Sequence, residues 1–176
     1  MRAIKMAKYV TILVVLAIVM VSLAGCIEKT TKEKESEEST QETETIVYQN
    51  KEFLEWLQTS ITTLAQYSNY TSTALGSLDF DSAKFWADEL MDFANDNMTD
   101  CMCFYLSKQY VTLQNKYYQA LDHAYWGGFY IKEAINDYED YDLDSFEEHC
   151  DKAVHHLHQC KIYLDYCTQM LYSIKK

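Results

Sequence analysis

The spacing of apolar positions after residue 46 predicts long amphipathic helices. Apolar or small residues recur there in alternating steps of three and four, which places them on one face of a helix. Three stretches show this spacing, from Leu54 to Leu78, from Leu106 to Tyr138 and from Phe146 to Ile174. Each apolar face needs a partner, so we expect these helices to pack against one another.

A weak internal repeat divides this region into two helical hairpins. The segment LDFDS at 78–82 resembles YDLDS at 141–145, 63 residues later. Asp or Ser before an apolar-periodic run caps the free N–H groups of a new helix, so each copy predicts a turn. The sequence therefore predicts an all-α protein, an antiparallel four-helix bundle made of two helical hairpins. The expected helices are 47–77, 81–106, 109–140 and 143–174, with the second connection at Ser107–Gln109 rather than Asn95–Asp100 because this gives helices of similar length.

Composition agrees with a helical protein. The chain has no proline and only four glycines, whereas sheets and tight turns commonly use both residues. The segment 27–45 differs from the rest because it consists almost wholly of Glu, Lys, Thr, Ser and Gln. Such a segment buries too little apolar surface to order itself, so it is expected to be a tether.

The first 26 residues have the features of an export signal. A basic head (Arg2, Lys5 and Lys8) precedes an apolar run, and LAGC follows at 23–26. This segment resembles the signal peptide and lipobox of prokaryotic lipoproteins. The resemblance implies that 1–25 is removed, that Cys26 carries a lipid, and that the chain lies on the extracytoplasmic face of the cell membrane. The alternative is an uncleaved anchor, but Val10–Val21 is shorter than the roughly 20 apolar residues that a span needs.

The expected organisation is therefore a signal peptide (1–25), a lipidated Cys26 with a polar tether (26–45), and a bundle domain (46–176). Removing the leader takes the net charge from −12 to −15, because the leader has three basic residues and no acidic one. This negative charge disfavours nucleic acid as a partner. The expected partners are the membrane, through the lipid, and a protein.

Five cysteines follow Cys26, and two interpretations of them stay open. They are either small buried side chains or halves of disulfides, which the predicted compartment permits. The 63-residue offset of the repeat matches Cys101 with Leu164, so Cys101 is expected at a height along the bundle between Cys160 and Cys167. A bridge from Cys101 or Cys103 to Cys160 or Cys167 is therefore the disulfide candidate.

The alternative function is a soft-metal or small-ligand site. His149, His156, Tyr163 and Met170 recur every seven residues and flank the cysteine-bearing face of the last helix. Thiolate, thioether and imidazole groups that converge in a dry bundle suit Cu(I) or Zn. The candidate ligands, which we expect at one level of the bundle, are His123, His156, Cys160, Cys101 and Met98.

Two further features are ambiguous. Gly127 and Gly128 interrupt a predicted helix, which indicates either close helix packing or an aromatic cavity for a small ligand. Asn69 fits the N-glycosylation sequon. No arrangement of nucleophile and base emerges, so the chain is expected to be a non-catalytic binding or structural module rather than an enzyme.

Overall fold

The computed structural model describes residues 47–174, and they form four helices. These are α1 (Asn50–Gly76), α2 (Phe80–Cys103), α3 (Lys108–Glu139) and α4 (Leu143–Ile174). The helices pack in chain order, and the interface between α3 and α4 is the largest. The predicted all-α bundle of two hairpins is therefore confirmed. The predictions for the signal peptide (1–25), Cys26 and the whole tether to residue 45 concern residues outside those that the structure describes.

The two hairpin turns have the same construction. Leu78 and Tyr141 adopt left-handed backbone conformations, with φ values of 58° and 62°. The next residue is an aspartate whose carboxylate accepts a hydrogen bond from the backbone N–H three residues later, at 3.1 Å for Ser82 and 3.2 Å for Ser145. The left-handed residue ends one helix and the aspartate caps the next, so the repeat predicted from the sequence is confirmed as two equivalent turns.

The connection between α2 and α3 lies at 104–107, close to the later of the two positions considered. Asn95–Asp100 is helical. Residues at the start of α1 hold this loop, because the Tyr105 N–H donates to Gln49 Oε1 (2.9 Å) and the Ser107 N–H donates to Asn50 Oδ1 (3.1 Å). The loop therefore ties the middle of the chain to the beginning of the bundle.

The core contains most of the predicted apolar faces of α1, α3 and α4, but Leu78 and Tyr138, which end two of the predicted stretches, are exposed. The core also includes a face of α2 that the sequence did not reveal. The α2 face consists mainly of alanine, with the buried residues Ala83, Ala87, Leu90, Ala94 and Cys101. Small side chains allow neighbouring helices to approach closely. None of the described helices is both long and apolar enough to cross a membrane.

One buried polar network crosses the core. Ser60 Oγ donates to Asn97 Oδ1 at 2.6 Å, so the fully buried Tyr117 hydroxyl donates to Ser60 Oγ, also at 2.6 Å. Three helices contribute to this network. It therefore fixes their relative positions at the level of the buried cysteines.

Candidate functional site

Imidazole and phenol rings line one side of the α3–α4 interface. We call this set the imidazole stripe, and it consists of five half-buried residues, His123 and Tyr130 from α3 with His149, His156 and Tyr163 from α4. The residues on each helix recur every seven positions, which keeps them on one face. The stripe is a continuous polar–aromatic surface beside the apolar core.

His123 and His156 meet at the centre of the stripe. Their Nδ1 atoms lie 3.0 Å apart, within hydrogen-bonding distance. The Tyr163 ring stacks on His123, with centroids 5.6 Å apart and planes 17° from parallel. Tyr130 lies against His156, with ring centroids 5.5 Å apart. The aromatic neighbours therefore fix both imidazoles in orientation.

Burial lowers the pKa of both histidines. For His156, the neighbouring His123 lowers the pKa further, while Asp122 raises the pKa of both groups. Two positive imidazoles at this separation would repel each other. The pair is therefore neutral at neutral pH, with nitrogen lone pairs available to accept a proton or a metal ion.

His149 has a separate partner at the end of the stripe. Its Nδ1 lies 2.6 Å from the Asp137 carboxylate, and its ring stacks on Tyr130 at 5.8 Å. The Lys152 ammonium lies 5.3 Å from the centroid of the same tyrosine ring. These contacts hold His149 in one orientation, and they leave His123 and His156 as the pair whose imidazoles face each other.

The two glycines explain why α3 and α4 approach closely at this level. A Cβ atom on Gly127 would lie 2.5 Å from Cδ2 of Leu157, the residue after His156. A Cβ on Gly128 would lie 2.9 Å from the Ala87 carbonyl oxygen on α2. Close helix packing, one of the two interpretations of this pair, is therefore confirmed. It lets α3 contact α4 on one side and α2 on the other.

The structure brings together two of the five predicted metal ligands. His123 and His156 meet, but Cys160 and Cys101 point into the core, and Met98 packs half-buried against it. In residues 47–174, no group of three or more His, Cys, Asp and Glu side chains is arranged to hold a metal ion. The Cys101 thiol instead donates to the Gln114 carbonyl oxygen at 3.6 Å.

Four of the five thiols are buried. Burial raises the pKa of Cys101, Cys150, Cys160 and Cys167 to about 12. The fifth, Cys103, is exposed, and all five are free thiols in the structure. The pairing of Cys101 or Cys103 with Cys160 or Cys167 stays a prediction. Asn69 lies half-buried within α1, and its glycosylation likewise stays a prediction.

Sequence reasoning missed Asp137, Tyr130 and Tyr117 as partners. Tyr130 lies seven residues from His123, and Asp137 lies seven residues further along α3. That spacing matches the His149–His156–Tyr163 series on α4 and was the available signal. Comparisons with protein-family models, curated proteins and solved structures gave no match for this chain.

Proposed function

We propose that this chain is a membrane-anchored extracytoplasmic lipoprotein whose helical bundle is a non-catalytic binding module. The predicted localisation rests on the LAGC box at 23–26, which follows a basic and apolar leader. The polar segment 27–45 would hold the bundle away from the lipid surface. A cleaved leader and a lipid on Cys26 would together place the bundle outside the cytoplasmic membrane.

The imidazole stripe supports the binding part of the proposal. It presents half-buried polar groups on a rigid interface, whereas the buried cysteines have a pKa of about 12 and stay protonated at physiological pH. A protonated, buried thiol is a poor nucleophile. These features favour recognition of a ligand over chemical turnover.

A second candidate is a metal-binding or small-ligand-binding bundle. The contact between His123 and His156 favours a metal, because two neutral imidazoles already face each other there. The raised pKa of Cys101 and Cys160 favours imidazole over thiolate as the ligand type, since a metal binds the thiolate form.

The Cys26→Ser variant tests whether the protein is lipidated and held at the membrane. In a prokaryotic host, we expect the wild-type protein to fractionate with membranes and to yield a mature N-terminal peptide carrying lipid on Cys26 by mass spectrometry. We expect Cys26→Ser to be unprocessed or released. Cys103→Ser is the matched control, because Cys103 is exposed and lies far along the chain from the box. Processing and membrane retention of Cys26→Ser at wild-type levels would refute the lipoprotein proposal.

A further inference from the structure

The turns of the two hairpins are equivalent in structure, which allows residues near them to be compared at a fixed offset along the chain. In both turns the same backbone bonds recur at an offset of 63 residues. Leu78 N–H donates to Leu75 O as Tyr141 N–H donates to Tyr138 O, at 3.0 and 3.2 Å. The aspartate caps recur at the same offset. A residue of the first hairpin can therefore be matched with the residue 63 positions later.

This matching extends to the aromatic contacts. Tyr67 of the first hairpin contacts Trp86 and Phe93, with ring centroids 6.0 and 5.5 Å apart. At the offset of 63, Tyr67 corresponds to Tyr130, whose partners are His149 and His156 at 5.8 and 5.5 Å. A tyrosine therefore contacts the two matching positions in both hairpins, although Tyr67 meets Phe93 edge-on at 88° whereas the Tyr130 and His156 planes are 32° apart.

Comparing the histidines with their matching residues shows which of their properties helix packing requires. His156 corresponds to Phe93, and His123 corresponds to Ser60, which bonds to Asn97 in the first hairpin. The first hairpin fills these two positions without a histidine, with Ser60 buried in the core where His123 is half-buried. The imidazoles of the second hairpin place two Nδ1 atoms within hydrogen-bonding distance of each other, a feature that the matching Ser60 and Phe93 of the first hairpin do not supply.

The hydrogen-bonded distance between the two nitrogens would also suit a right-angled pair of metal ligands. Imidazole nitrogens bind zinc-like metals at about 2.0–2.1 Å. At that bond length, a separation of 3.0 Å between the two Nδ1 atoms subtends roughly a right angle at the metal. Right angles between neighbouring ligands are typical of the square-planar or tetragonal sites of Cu²⁺ and Ni²⁺.

We propose that His123 and His156 chelate one divalent transition ion of the Cu²⁺ or Ni²⁺ type through their Nδ1 atoms. Water completes the coordination, because both residues are half-buried at the edge of the bundle. Asp122, adjacent to His123, supplies negative charge close to both imidazoles. Metal binding displaces the proton of the Nδ1–H···Nδ1 hydrogen bond, and the same ring takes up a proton at Nε2, so both imidazoles stay neutral and no net proton is released. This inference rests on the proposed binding role of the imidazole stripe and names its ligand.

Ni²⁺ is the probe, because exposed thiols do not reduce it as they reduce Cu²⁺. We expect the purified full chain in detergent, kept reduced, to bind one Ni²⁺ per chain by isothermal titration calorimetry. The first hairpin supplies the variants His156→Phe and His123→Ser, since Phe93 and Ser60 occupy the matching positions. Each variant should weaken Ni²⁺ binding by more than about tenfold, because even supporting residues of metal sites cost about 10–100-fold when lost.

His158→Ala is the matched control, because His158 is an exposed histidine of the same helix. It should bind Ni²⁺ as the wild-type protein does. A second measurement uses only the wild-type protein, so it remains informative if the histidine variants fail to fold. Ni²⁺ should protect His123 and His156, but not His158, from diethyl pyrocarbonate, as mapped by mass spectrometry.

Two results would overturn the inference. One is wild-type affinity in folded His156→Phe or His123→Ser, and the other is absence of Ni²⁺ binding together with modification of all three histidines that is the same with and without Ni²⁺. Neither result bears on the lipid anchor, which fractionation of Cys26→Ser tests independently. Failure of the metal site and failure of the membrane address are therefore distinguishable.

Discussion

Gly127→Ala tests whether α3 and α4 are held together as closely as the structure shows. The new Cβ atom would lie 2.5 Å from Cδ2 and 2.8 Å from Cγ of Leu157, both closer than non-bonded carbons approach. Leu157 is 2% exposed, so its side chain has little free space into which to move. The substitution therefore forces either a new side-chain arrangement or separation of the helices.

The net effect is the difference between two opposing contributions. Replacing glycine by alanine within a helix stabilises it by about 1 kcal/mol. Overpacking a well-filled interior costs about 1–3 kcal/mol. Because Leu157 is enclosed, we expect the overpacking cost near the upper end of its range, and therefore a net loss of about 2 kcal/mol in the free energy of unfolding. For a domain of this size, the melting temperature should fall by on the order of 4 °C for each kcal/mol lost.

The assay is thermal and urea denaturation followed by circular dichroism at 222 nm. The control is Gly76→Ala, at the exposed last position of α1, where the φ angle is not positive. This control should leave the melting temperature unchanged or slightly raised. If Gly127→Ala proved as stable as Gly76→Ala, the close approach of α3 to α4 beside His156 would be wrong.

Two other predictions concern the thiols and the buried hydroxyls. A maleimide at pH 7.5 should label Cys103 of the folded bundle rapidly and the four buried cysteines only on unfolding, because their pKa values are about 12; fast labelling of the buried group in mass spectrometry would contradict the assigned burial. Tyr117→Phe should lower the free energy of unfolding by about 1 kcal/mol by removing a hydrogen bond to Ser60. Ser68→Ala should instead be neutral or stabilising, because Ser68 Oγ is buried without a hydrogen-bond partner among the described residues; equal losses in the two variants by urea denaturation would refute the assigned network.

The sequence predicted the turns and the apolar faces because both are local features. An aspartate followed three residues later by serine is enough to identify each cap, and steps of three and four identify the face of α4 that carries Cys150, Cys160 and Cys167. The core face of α2 gave a weaker signal. It consists mainly of alanines, which are less hydrophobic than leucine or isoleucine and so stand out less from their polar neighbours.

Which residues meet in the imidazole stripe depends on contacts between helices, and a pattern within one helix does not indicate such contacts. Counting along the helices placed His123, His156 and Cys160 near one level. It did not show that His156 lies at the edge of the bundle, whereas Cys160 faces the interior with 2% exposure. Side-chain direction around the helix axis, set by packing across Gly127 and Leu157, separates the imidazoles from the thiols. The hydrogen bond between Tyr117 and Ser60 likewise joins two helices, so no pattern within a single helix indicates it.

The most direct test of the proposed ligand site is anomalous diffraction at the nickel edge. The sample is the bundle domain, 46–176, crystallised with Ni²⁺. The account predicts one anomalous peak that lies about 2.0–2.1 Å from the Nδ1 atoms of both His123 and His156. A peak on Cys103 or His158 instead, or a metal-free imidazole pair in crystals that hold Ni²⁺ elsewhere, would contradict it.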